Sequence, residues 1–246
     1  MTEKDSMAIG LETTVYQLKV SIAGARPPIW RRVLVPARSM LAELHLVIQA
    51  LMGWDDDHLH QFEAPGPAET SLKTRRSRRG SRRIGPTTDP AGQPFDWLMD
   101  DEMEDEMEDE MEDEAKAVLQ EVAPAEKTRF LYIYDMGDFW EHDILVEKIL
   151  PVAPEGVYPL CLAGKRNGPL EDCGGLWGYE EMLEILADPN HPDHEDRKAW
   201  LKEIYGVHTW DGEAFDQEEI NKRLKKLRLY AKPSPNTKPQ TKRAAR

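Results

Sequence analysis

The residues of this sequence best suited to chemistry are Asp135, Asp138, Glu141, His142 and Asp143, gathered at and just after a turn marked by Gly137. Carboxylates and a neutral imidazole can together hold a divalent ion or exchange protons with a substrate. Aspartates at a tight turn also accept backbone hydrogen bonds, so the same residues have a purely structural use. If the chain after the turn is a strand, Trp140 and His142 fall on one face and Glu141 and Asp143 on the other. His142 can then share a site with a turn carboxylate, Asp135 or Asp138.

A second source of ligands is the pair His58 and His60, whose side chains share a face if this stretch is extended. Two imidazoles do not complete a metal centre. With Asp135, Asp138 and His142 they make a candidate metal set, His58, His60, Asp135, Asp138 and His142, although no spacing shows that the two regions meet. A divalent metal is the one cofactor these residues allow. Cys161 and Cys173 are separated by eleven residues, where a zinc knuckle uses two to four, so they read as buried free thiols. His191 and His194 bracket Pro192 and read as shaping a helix start. Glu171 and Asp172, before Cys173, Gly174 and Gly175, either orient a loop through backbone amides or form a catalytic pair.

Arginines supply the nucleic-acid case: Arg26, Arg31 and Arg32 beside Trp30, and Arg75, Arg76, Arg78 and Arg79 in a run that ends at Arg83. Guanidinium groups pair with phosphates and stack on bases. No helix-turn-helix, RRM, KH or zinc-finger signature accompanies them, and a charged hairpin exterior accounts equally well for the first three. A Walker loop, a dinucleotide-binding glycine fingerprint and a Gly-x-Ser-x-Gly elbow are all missing from the sequence.

These residues must be positioned by a fold whose elements alternate in type. Thr13 to Ile22 and Ile29 to Val35 have the period-two pattern of a β-hairpin. From Ser39, read as an N-cap, Leu41, Leu44, His45, Ile48, Leu51 and Met52 recur at helical spacing until Gly53. His58 to Glu63 reads as a short strand. Ala115 to Val122 reads as a short helix, followed by strands over Arg129 to Tyr134 and Phe139 to Leu150, joined at a turn where Gly137 is expected to supply the positive φ. Helices are expected over Gly178 to Ala187, Pro192 to Tyr205 and Asp216 to Leu229. Antiparallel pairs with helices gathered late in the chain predict an α+β domain, an antiparallel sheet of two hairpins with helices packed on it.

The formal net charge of −14 is concentrated in Met99 to Glu114, one MDDE and three MEDE tetrads with twelve acids and no base. Outside this tract the charges nearly balance, so overall acidity describes an appendage. The expected organisation is a tail over 1–10, one domain over 11–64 and 115–230, a disordered Arg-rich then acidic insertion over 65–114, and a basic disordered tail over 231–246. The methionines at 99, 103, 107 and 111 would form a helical stripe, but the packed acids repel such a helix, and the tract lacks the EF-hand pattern for calcium. No apolar run is long enough for a membrane span, and Met1 to Gly10 is charged where a signal sequence is apolar. The expected location is cytoplasmic, with reduced thiols and no membrane partner.

Three segments carry a resemblance. LKVSIAGARPPIWRRVLVP with the helix ending LMGWDDDHLHQF, then YIYDMGDFWEHDILVEKIL, then PLCLAGKRNGPLEDCGGLWGYEEMLEIL followed by ADPNHPDH, resemble the plasmid pRiA4b ORF-3-like domain family, some members of which are described as transposon passengers. The resemblance implies a compact α+β domain and no transferable reaction. It supplies no serine or tyrosine in a motif that attacks a DNA phosphate, so the resolvase label of some relatives is not adopted. Many relatives have a cysteine just before the proline matching Pro169, where this chain has Gly168. If those cysteines bind metal, this chain lacks that ligand. The combined reading is an intracellular binding protein that serves a mobile element through protein or nucleic-acid contacts. Its alternative is a metal-dependent hydrolase using the His/Asp cluster.

Overall fold

The structure, a computed structural model, describes residues 14–66, 81–88, 93 and 111–229. Alternation of apolar and polar side chains along β1 (Thr14–Ile22) buries Tyr16, Leu18, Val20 and Ile22 and leaves Gln17, Lys19 and Ser21 half-buried. β2 (Trp30–Pro36) pairs with it in antiparallel register, Leu18 opposite Val33 and Val20 opposite Arg31. β6 (Arg129–Tyr134) and β7 (Trp140–Pro151) form the other expected hairpin. β7 also pairs along β1, joining the two hairpins into one sheet.

With β3 (His60–Ala64), β4 (Arg82–Gly85), β5 (Glu112–Asp113) and β8 (Leu160–Lys165), that sheet has eight strands in the order β5-β4-β3-β6-β7-β1-β2-β8. All neighbours run antiparallel except β4 (Arg82–Gly85) and β5 (Glu112–Asp113), which are parallel. The sequence reading places no regular element between 65 and 114, yet both of these strands come from that span. The correction has a physical reason: Ile84 is a lone apolar residue that buries fully against Phe62 of β3 (His60–Ala64), and one such residue leaves no periodic signal. β8 (Leu160–Lys165), which the sequence reading leaves out, adds to β2 at the far edge. The fold is therefore a mixed α/β arrangement on a mostly antiparallel sheet, with more strands than two hairpins supply.

α1 (Leu41–Met52) buries nine of its side chains and is closed by Gly53 at φ 90°. Its N-terminal amide at Met40 is met by Glu43, 3.0 Å away, while Ser39, the expected cap, instead donates its hydroxyl to the Pro36 carbonyl. After the single turn α2 (Leu119–Val122) come α3 (Gly175–Ala187), α4 (His194–Tyr205) and α5 (Gln217–Lys226), the last capped by Asp216. α5 packs on β8 and on α1, and α3 packs on α4. No helix among the described residues is long and apolar enough to cross a membrane. The two terminal tails, the MEDE repeats up to 110 and the four arginines at 75, 76, 78 and 79 lie outside the described residues.

The loop before α3 is fastened to the end of α1. A Cβ on Gly168 would stand 2.1 Å from the Met52 carbonyl oxygen, so only glycine permits this approach. Next to it, Trp54 donates its indole N–H to the Pro169 carbonyl at 2.8 Å. Glu171 then takes the Asp55 amide at 2.9 Å and the Tyr134 hydroxyl at 2.5 Å, and its own carbonyl accepts the Tyr205 hydroxyl at 2.6 Å. Desolvation, largest of several causes, pushes the Glu171 carboxyl above its usual range.

Candidate functional site

His45 and Gln49 stand one turn apart on α1 and meet the same hydroxyl of β6. Nδ1 of His45 lies 2.7 Å from the Tyr132 oxygen, and the Gln49 amide donates to that oxygen at 2.9 Å. The other ring nitrogen, Nε2, lies 2.7 Å from Oδ1 of Asp56, on the loop leaving α1. Against this ring stacks His60 of β3, with 3.5 Å between centroids and 6° between planes. Its Nε2 lies 2.7 Å from Glu114, the residue following β5. One ligating atom each from His45, Asp56 and His60 falls within 4.8 Å of the others. Ligands 2.0–2.2 Å from one tetrahedral ion stand roughly 3.3–3.6 Å apart; because imidazole lone pairs lie in the ring plane and the two rings are 6° from parallel, one ring must turn out of the stack before both face one ion.

The electrostatics suit a ligand role. Burial lowers the His45 pKa, and the neighbouring His60 lowers it further, against the opposing pull of Asp56. A neutral imidazole is the form that binds metal. Burial also holds the Tyr132 hydroxyl pKa well above the ordinary phenol range, so it stays protonated. If Tyr132 donates to Nδ1, Nε2–H of His45 bonds Asp56. If Nδ1–H donates to Tyr132 instead, Nε2 presents a lone pair beside Asp56 and His60. This second arrangement is how a metal-bound histidine is commonly oriented by its outer partner. Asp56 has φ 66°, a left-handed conformation that an aspartate adopts more readily than most side chains.

Of the metal set read from the sequence, only His60 belongs to this group. β3 begins at His60, and His58, just before it, faces Asp135 and Asp172 rather than His45. The Oδ1 atom of Asp135 accepts the amides of Gly137 at 2.8 Å and Asp138 at 3.2 Å, the turn-forming use. Positive φ at this turn belongs to Asp135 (60°) and Phe139 (57°), not to Gly137 as expected. Asp138 accepts the Gly174 amide at 3.0 Å, and its carbonyl leaves no room for a Cβ on Gly175, so it positions the start of α3.

His142 does not meet the turn carboxylates. Alternation on β7 sends it inward with Trp140, fully buried, its Nδ1 2.9 Å from the Trp140 carbonyl and its ring against Trp54 and Tyr132. Burial lowers its pKa to about 4, so it is neutral at pH 7. Arg31 is buried as well, bonded to the carbonyls of Leu51, Trp30 and Lys165, and Arg32 is paired with both carboxylate oxygens of Glu147. Cys161 and Cys173 are buried free thiols, the latter pushed up to about 12 chiefly by desolvation.

The site residues that the sequence reading missed are His45, Asp56 and Glu114. His45 repeats with the apolar face of α1, Asp56 sits within three consecutive aspartates, and Glu114 is the last acid of the low-complexity tract. The one usable signal was a histidine on the buried stripe of a helix.

The sequence profile of the family described as plasmid pRiA4b ORF-3-like protein matches residues 14–219. The uncharacterized protein y4hQ of Sinorhizobium fredii (strain NBRC 101917 / NGR234) is 33% identical over 215 residues, covering 87% of this chain and 92% of that protein. The crystal structure of the protein of unknown function MM3350 from Methanosarcina mazei Go1 superimposes with a TM-score of 0.64 at 38% identity, covering 84% of this chain and 97% of that one. The matched span runs from the first strand into the last helix and takes in His45, Asp56, His60 and Glu114. This chain belongs to the plasmid pRiA4b ORF-3-like protein family.

Proposed function

We propose that the protein binds a divalent first-row transition metal through His45, Asp56 and His60, with Glu114 as the outer partner of His60. The observation that carries this reading is that one donor atom from each of His45, Asp56 and His60 lies within 4.8 Å of the others, so that turning one imidazole out of the stack lets all three face one ion. Imidazole with carboxylate suits zinc, iron, cobalt or nickel better than the all-oxygen ions. Burial favours the neutral imidazole of His45, and Tyr132, whose oxygen also accepts the Gln49 amide, supplies the outer hydrogen bond to its ring.

Three protein ligands leave a coordination position for water, which is the arrangement a metal-dependent hydrolase uses. The hydrolytic alternative therefore moves from the His142 cluster to this centre. Nucleic-acid contact has less support in the described residues, because Arg31 is buried and Arg32 is engaged with Glu147.

The test is metal binding by tag-free protein stripped with a chelator and titrated with Zn²⁺. One equivalent is expected at this centre, missing from both His45→Ala and His60→Ala while their circular dichroism stays that of the folded chain. Equal binding by the wild type and both variants overturns the proposal.

A further inference from the structure

We propose that His58, Asp135 and Asp172 form a second divalent-cation site, independent of the first and harder in donor character. Oδ1 of Asp172 lies 3.2 Å from Nε2 of His58, and Oδ2 of Asp135 lies 3.8 Å from it. One donor atom from each of the three falls within 4.8 Å of the others. Nε2 of His58 is closed off from solvent and makes no hydrogen bond, despite the nearness of two carboxylates. Donors close together yet not aligned as hydrogen-bond partners fit ligands that face a common ion rather than one another.

The donors of His58 and Asp135 are held in place by bonds that the rest of each residue makes. Oδ1 of Asp135 is taken by the turn amides, which leaves Oδ2 for His58. The amides of Asp57 and His58 donate to the Tyr134 oxygen at 3.1 and 3.3 Å, and the Tyr134 ring meets the His58 ring edge to face. Tyr134 in turn donates to Glu171, so the residue before Asp172 is tied to the same hydroxyl that orients His58. Asp135 and Asp172 take φ of 60° and 54°.

Two carboxylates and one imidazole suit Mn²⁺ and similar hard to borderline ions, whereas the first centre, with two imidazoles, leans toward zinc. The three donors come from three loops: the one after α1, the β6–β7 turn and the one before α3. An ion here would therefore join loops that have no covalent connection near the site. Asp172 is 65% exposed, so ions reach the site from solvent and its replacement removes no core packing.

The experiment is Mn²⁺ titration of the full chain, followed by the electron paramagnetic resonance signal of the free ion. The wild type and His45→Ala are both expected to bind one equivalent that Asp172→Asn and Asp135→Asn weaken at least tenfold. Asparagine at 135 keeps the acceptor for the turn amides, so weaker binding there reports the lost charge rather than a broken turn. Bound Mn²⁺ should also raise the Tm of the wild type and not that of Asp172→Asn. The proposal is overturned if the wild type binds no Mn²⁺, if both aspartate variants bind as it does, or if His45→Ala alone removes the ion. Zn²⁺ binding at the first centre is read separately, so either site can fail without the other.

Discussion

The imidazole of His45 lies face to face with that of His60, 3.5 Å between centroids, while each presents Nε2 to its own carboxylate. The nearness of the His60 ring adds to burial in lowering the His45 pKa. When Nδ1–H of His45 donates to the Tyr132 hydroxyl, Nε2 is the nitrogen left free for a metal. Tyr132→Phe should therefore keep the fold and weaken Zn²⁺ binding by about 10- to 100-fold, the range typical of lost outer-shell partners. Competition against a chromophoric chelator would measure it, and unchanged affinity would mean that the Tyr132 hydroxyl does not orient a ligand.

Stability should fall as pH drops from about 6.5 to about 4 because of His142. Its folded pKa is lowered to about 4 by burial, while the unfolded residue titrates near its ordinary 6.5. Above 6.5 both states hold it neutral; below, the unfolded chain takes up the proton first, and stability is lost until the folded pKa is passed. The loss is on the order of 3 kcal/mol. Burial displaces His45 in the same direction. Urea unfolding at several pH values, compared between the wild type and His142→Phe, should show a shallower acid-side slope in the variant.

Arg31 and Arg32 are neighbours with opposite fates. Arg31 is 1% exposed, its guanidinium bonds the Leu51 carbonyl at the end of α1, and burial lowers its pKa to about 10. Arg31→Ala should cost about 3 kcal/mol or more, since it leaves a cavity and unpaired carbonyls. Arg32→Ala breaks a partly exposed pair with Glu147 and should cost about 1 kcal/mol or less. Denaturant midpoints of the two variants would separate these roles.

Gly168→Cys would place a Cβ 2.1 Å from the Met52 carbonyl oxygen, where backbone rather than a mobile side chain must move. The loop carrying Glu171 and Asp172 would shift with it. A loss of about 1–3 kcal/mol is expected, together with weaker Mn²⁺ binding at the His58, Asp135 and Asp172 site. Unchanged Tm and Mn²⁺ affinity would mean that this loop accommodates the thiol without disturbing its neighbours.

Sequence by itself determined the elements whose signals are local. Period-two alternation marked the paired strands β1, β2, β6 and β7, and helical spacing ending at Gly53 marked α1, because burial on one face repeats with the geometry of the element. Motif phrases carried the family. Tertiary structure decided the rest: which edge strands join the sheet, and which donors meet. His45 finds Tyr132 across 87 residues, and His60 finds Glu114 across 54. The same alternation that makes β7 legible sends His142 into the core, away from the turn acids beside it in sequence. A strand pattern says which side chains point the same way, but only the packing of α1 and the loops over that face says what they point at.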